Sequence, residues 1–244
     1  MQDTPPLSGP ARGQPGSSLI FRPASWLERL SVGGMFREAR PLQVELGSGD
    51  GSFMARWAAE SGGVNFIAVE RLLGRLRKLD RKGLRLGLEN LRLMRIEAAY
   101  FLEFLLPLQS VAALHLYFPD PWPKRKQRRH RLVNERFPEL CSRVLAAGGM
   151  VYLRTDDADY FGQMQEVFAA DPRFVGEPTP EELAAVVTDF ERTFNAQGIP
   201  TLRAAYRMPQ AGRLRAADQM SMTGPLPPSF PPLPPLEGGG GLPR

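Results

Sequence analysis

The chain has 244 residues, 43% of them hydrophobic, which suits one sizeable α/β domain with tails or two small domains. A single cysteine, Cys141, and two histidines, His115 and His130, exclude a disulfide framework and a cysteine- or histidine-rich metal site, and suit a reducing cytoplasm. The net charge of +5 is modest but unevenly placed, since six of the eight residues from Lys124 to Arg131 are Lys or Arg, a density that points to a polyanionic partner. No apolar run approaches the roughly 20 residues that span a bilayer, and the N-terminus lacks the apolar core of a signal peptide. A cytoplasmic protein with no membrane and no metal is expected; oligomeric state is not legible.

In chain order, residues 1–18 are rich in Pro, Gly and Ser and read as a disordered tail. Residues 19–210 read as the folded domain, and 211–244, with prolines and four successive glycines, as a second disordered tail. Within the domain, LQVELG (42–47), NFIAVE (65–70), LRLMRI (91–96), VAALHLYF (111–118) and GMVYLRT (149–155) read as buried strands. Helical segments alternate with them. In one, Leu72, Leu76 and Leu79 share a face while Arg71, Arg75, Lys78 and Lys82 lie elsewhere on the surface; another is expected to stop at AAGG (146–149). Near-continuous apolar strands alternating with helices imply a mostly parallel sheet covered on both faces. Ligands then bind outside the carboxyl ends of the strands.

The first strand runs into ELGSGDGSF, where Gly47, Gly49 and Gly51 permit a tight turn and close backbone approach at the positive end of the next helix. The second ends in Glu70, 21 residues after Gly49, a spacing at which an acid reaches both hydroxyls of a ribose. The third delivers Glu97, placed to accept from an adenine amino group. Together they point to an adenosine-containing cofactor. Ser52, where a dinucleotide fingerprint prefers its third glycine, and Glu45, before the turn where a methionine moiety would lie, favour S-adenosylmethionine. After the fourth strand, Asp120 stands between Pro119 and Pro121, which stiffen the corner. Trp122 supplies a flat face for a base, and the basic block that follows is suited to phosphates.

These motifs resemble the bacterial tRNA (guanine-N7-)-methyltransferase family, over roughly residues 40–208. The resemblance rests on VELGSGDG, IAVE, FPDPWPK with its basic run, LRTDDADYF and TDFERTFNAQGIP. It implies an α/β fold, the Rossmann-like class I methyltransferase sheet of seven mostly parallel strands with helices on both faces. It implies transfer of methyl from S-adenosylmethionine to N7 of the variable-loop guanosine of tRNA. Carried over by motif, the cofactor residues are Glu45, Glu70, Glu97 and Asp120, together with the glycine turn, and Asp120 is the catalytic candidate. Substrate contacts are Lys124, Asp156, Thr188, Asp189, Phe190 and Glu191; RNA contacts are Lys126, Arg128, Arg129, His130 and Arg131. Glu97 stands where the family often has Asp or Asn, and Gln127 and His130 interrupt the basic run. The competing readings are a non-catalytic RNA-binding protein with a vestigial cofactor pocket, and a dinucleotide-dependent oxidoreductase.

Overall fold

A computed structural model describes residues 18–209. The expectations for the two tails lie outside the described residues, except that Ser18, placed at the end of the N-terminal tail, hydrogen-bonds Asp80 through its hydroxyl.

The elements follow the sequence closely. Strand β1 (Leu42–Leu46) leads to helix α1 (Ser52–Glu60), β2 (Asn65–Val69), α2 (Leu73–Arg85) and β3 (Leu91–Met94). The short α3 (Ala98–Tyr100) runs into a wider helical turn at Phe101–Leu105, then β4 (Val111–Tyr117), a 3-10 turn over Arg125–His130 and α4 (Phe137–Val144). Next come β5 (Leu145–Thr155), α5 (Ala158–Ala169), β6 (Val175–Glu177), α6 (Glu181–Ala185), α7 (Asp189–Ala196) and β7 (Leu202–Arg207). The seven strands form one sheet in the order β3-β2-β1-β4-β5-β7-β6. The ladder is parallel from β3 to β5, and β7 pairs antiparallel with both β5 and β6. The order reverses at β1, so the crevice for a ligand lies outside the ends of β1 and β4.

The two faces of the sheet differ in chemistry. Val44, Leu46, Leu114, Leu116, Val151 and Leu153 lie in the larger apolar core, together with Phe137, Tyr160 and Phe168 from α4 and α5. The register pairs Glu45 with His115, His115 with Tyr152, and Tyr117 with Arg154. With side chains alternating along each strand, Gln43, Glu45, His115, Tyr117, Tyr152 and Arg154 share the opposite face. There they meet α1, whose Phe53 packs edge-on to Tyr117 with ring centroids 4.7 Å apart. A row of polar groups thus runs through the centre of the protein.

Two local expectations are corrected. Leu72 precedes α2 and is exposed; the buried face of the helix is Leu76, Leu79 and Gly83. A side chain at Gly83 would run into Leu19, so the N-terminal segment takes the room that a side chain would fill. AAGG does not stop α4, which already ends at Val144. These four residues bulge out of β5, where Leu145 pairs with Val111 and Met150 is the next to pair, with Ala113. The bulge is held because Gly148 N–H donates to Met208 O and Met208 N–H donates to Gly149 O, 3.0 and 2.9 Å. Among the described residues no helix is long and apolar enough to cross a membrane.

Candidate active site

The parallel ladder delivers Gly47, Glu70, Glu97, Phe118 and Asp156 to one edge of the sheet. The glycine turn is built by backbone conformation: Gly47, Gly49 and Gly51 all have positive φ, at 77°, 57° and 75°. The three do different work. A Cβ at Gly51 would lie 2.3 Å from Leu79 Cδ1, so this glycine lets α1 and α2 approach. A Cβ at Gly47 or Gly49 would meet no atom of the described residues within 4 Å, chain neighbours aside, so the turn has open space beside it. Glu70 is buried and fixes the turn: Gly49 N–H donates to Oε2 at 3.0 Å and Leu72 N–H to Oε1 at 2.7 Å. Each carboxylate oxygen retains a second lone pair.

Glu45 lies directly beneath this turn. It is buried, and its Oε2 has no hydrogen-bond partner among the described residues. Burial raises its carboxyl from the ordinary 4.5 to about 8; Arg154 opposes the rise while Glu70 and Asp50 add to it. A buried acceptor without a donor is costly. Glu97 caps α3, accepting from Ala99 N–H at 3.0 Å and Tyr100 N–H at 2.8 Å.

The Asp120 corner is stiffened by more than its prolines. Phe118 and Trp122 both adopt positive φ, 50° and 43°, a conformation that bulky residues rarely take and that collects at functional sites. Arg131 anchors the corner, its Nε donating to Pro121 O at 2.7 Å. Asp120 and Lys124 are exposed, Asp156 is half-buried, and none of the three side chains has a hydrogen-bond or ion-pair partner among the described residues. Trp122 is half-buried and tilts against His130, with ring centroids 5.3 Å apart.

Arg131 departs from its expected place on RNA. Its side chain is 1% exposed, and besides Pro121 it donates to Gln163 Oε1 and Asp159 Oδ2, at 2.8 and 2.6 Å. It also lies over the ring of Tyr160. Each of its three nitrogens donates to another group of the protein. Lys126, Arg129 and His130 are exposed, and Arg128 is half-exposed in an ion pair with Asp159.

The stretch Thr188–Glu191 is divided in the same way. Thr188 and Glu191 form a reciprocal cap at the start of α7, each side chain accepting the other's backbone N–H. Glu191 is fully buried and pairs with Arg154 and Arg203, at 2.9 and 2.8 Å, so it does not face the cleft. Asp189 N–H donates to Ser52 Oγ at 3.2 Å, tying α7 to the start of α1, and its carboxylate pairs with Arg192. Phe190 is 48% exposed and stacks on Phe118 at 6.2 Å.

The sequence reading missed Arg154 and His115. Arg154 Nη1 donates to Glu191 and to Val186 O, Nη2 donates to Leu183 O, and its guanidinium lies 4.2 Å from the Tyr117 ring centroid. His115 bridges Tyr117 Oη and Gln43 Oε1, at 2.8 and 2.9 Å, and burial lowers its pKa to about 3. The signal was the i, i+2 alternation of Gln43 and Glu45, His115 and Tyr117, and Tyr152 and Arg154 inside strands read as uniformly apolar. Among the described residues no group of three or more His, Cys, Asp or Glu converges as a metal site would.

A seven-stranded sheet with β7 reversed between β5 and β6, and a glycine turn after β1, is the architecture of the class I methyltransferases. A family described as "Putative methyltransferase" matches residues 39–204, and the chain belongs to it. The chain is 40% identical over 141 residues to a tRNA (guanine-N(7)-)-methyltransferase of Geobacter metallireducens; the match spans 58% of this chain and 64% of that protein. It is 38% identical over 184 residues to a protein of the same name from Nocardioides sp., spanning 75% of this chain and 74% of the relative. The solved structure of PH0851 superposes with a TM-score of 0.52 at 13% identity, over 68% of this chain and 43% of that one, a likeness of fold alone.

Proposed function

We propose that the protein is an S-adenosylmethionine-dependent methyltransferase acting on N7 of a guanosine in tRNA, and so a cytoplasmic enzyme. The observation that carries this reading is the meeting, at the β1/β4 crevice, of an open glycine cradle over an unpartnered buried carboxylate with a strained acidic corner bordered by exposed cations. The names of the relatives supply the substrate class.

The residues present fit the cofactor. Gly47 and Gly49 leave space where a bound molecule would lie against backbone, and Glu45 offers an unpartnered carboxyl that would ionise against a cationic methionine moiety. Glu70 has lone pairs left for ribose hydroxyls, and Glu97 for an adenine amino group. Bound there, S-adenosylmethionine supplies an electrophilic methyl on a positively charged sulfur. Guanine N7 carries an unprotonated in-plane lone pair at neutral pH, so no residue need remove a proton. The work left to the chain is placement, with Trp122 and Phe190 as flat surfaces and the corner holding Asp120. A carboxylate there also stabilises positive charge developing on the purine. Asp156 and Asp189 are the acids left to read the guanine edge, since Glu191 is consumed inside the protein.

The test is direct. The protein is incubated with methyl-labelled cofactor and bulk tRNA, the RNA is digested, and the labelled nucleoside is identified. Label in 7-methylguanosine is expected; label in another nucleoside, or none, overturns the reading.

A further inference from the structure

Helix α2 carries more positive charge than a solvated surface helix needs. From Arg71 to Arg85 there are seven cations and one acid, Asp80. The acid is occupied elsewhere: its oxygens accept from Leu19 N–H at 2.7 Å and Ser18 Oγ at 3.1 Å. Within the helix, positions 75, 78, 82 and 85 recur at helical spacing, so Arg75, Lys78, Lys82 and Arg85 form one stripe, with Arg77 and Arg81 beside it and Arg71 just ahead of the N-cap. Of the stripe, only Lys82 has an ion-pair partner among the described residues, Asp50 at 3.4 Å.

This arrangement costs stability in the free protein. Like charges at i, i+4 repel. The first turn of α2 holds no acid, and its N-cap is Leu72, whose side chain accepts nothing; Arg71 and Arg75 therefore crowd the positive end of the helix dipole. A run that breaks several local rules without an internal partner points to a partner outside. Position supports this. The helix begins shortly after β2 ends, so Arg71 and Arg75 stand at the cleft mouth beside Glu70. Arg95, also exposed, donates to Arg71 O at 3.3 Å and extends the basic surface past β3. From there the stripe runs about 20 Å along the helix. The β2–β3 crossover and the basic loop after β4 flank β1 on opposite sides of the sheet order.

We propose that the exposed stripe Arg75, Lys78 and Arg85, with Arg71 just ahead of the helix, is a second phosphate-backbone contact for the tRNA, gripping a part of the molecule away from the modified base. The inference rests on the tRNA reading above. Its discriminating variant is R75Q/K78Q/R85Q in the full chain, with R75K/R85K as a charge-preserving partner.

Binding of intact tRNA, and of a short oligonucleotide carrying only the target base, is measured across a salt series. The glutamine variant is expected to bind intact tRNA at least about tenfold more weakly, with a salt slope shallower by about 0.7–0.9 for each phosphate no longer neutralised. Binding of the short oligonucleotide and S-adenosylmethionine affinity should hold, Tm should not fall, and the lysine variant should behave as wild type. Equal affinity and slope for intact tRNA, in a wild-type protein that does bind and methylate it, overturns the stripe while leaving the function intact. A wild-type protein that neither binds nor methylates tRNA overturns the function instead. Capture by anionic phospholipid vesicles that the glutamine variant loses, with tRNA binding unchanged, overturns the inference in favour of a membrane surface.

Discussion

At the scale of single residues, burial decides what each acid does. Glu45 sits near pKa 8 in the folded protein against an ordinary 4.5. Between those values the folded protein holds a proton that the unfolded chain has released, so stability falls as pH rises. His115 runs the other way: held near 3 against an ordinary 6.5, it makes stability rise with pH only up to about 6.5. From about pH 6.5 to about 8 the Glu45 slope stands alone. The Tm of the ligand-free protein is expected to fall across that window, and Glu45→Gln should flatten the profile. A flat wild-type profile would mean that the folded state already ionises this carboxyl. Asp120, by contrast, is exposed and unpartnered, on a corner held by Phe118, Trp122 and Arg131. Asp120→Asn keeps that shape and should lower single-turnover methylation about a hundredfold, the scale of one preorganised electrostatic contact. A near-normal rate at saturating cofactor and tRNA would reduce Asp120 to scaffold.

At the scale of elements, neighbouring residues of one motif divide between structure and function. In the glycine turn, Gly51→Ala drives a Cβ into Leu79 and should destabilise the fold. Gly49→Ala meets no protein atom, so it should cost only about 1–2 kcal/mol for a left-handed side chain yet abolish cofactor binding. Calorimetry with S-adenosylmethionine on the folded Gly49 variant checks this, and retained affinity would place the cofactor off the turn. The basic block divides likewise. Arg131→Gln should cost about 1–3 kcal/mol through the acceptors it leaves unpaired at Pro121 and Gln163, seen as a lower denaturation midpoint. Replacing Lys126 and Arg129 should leave stability alone and weaken tRNA binding. Equal stability loss from both sets would show that the block is structural throughout.

At the scale of the whole molecule, the row Glu45, Arg154, Glu191 and Arg203 joins the polar face of the sheet to α7. Glu191→Ala leaves two guanidinium groups without their acid inside the protein, and should cost about 3–5 kcal/mol of stability by urea denaturation. Loss of activity with stability intact would instead return Glu191 to the substrate. How much of this the sequence determined follows from what is local. The five parallel strands, the glycine turn and the Asp120 corner were legible because backbone preference, apolar runs and proline stiffness act over a few residues. Their convergence was legible too, since a parallel sheet sends every strand end to one edge. Side-chain partners separated by many residues were not. That Arg131 faces α5 while Arg129 faces solvent, that Glu191 turns inward to Arg154, and that His115 and Tyr117 line a polar face all depend on cross-strand register and helix packing. A charge in a motif reads the same whether it ends in water or against another side chain. Only the tertiary fold, which sets desolvation and the nearest opposite charge, decides which of the two it is.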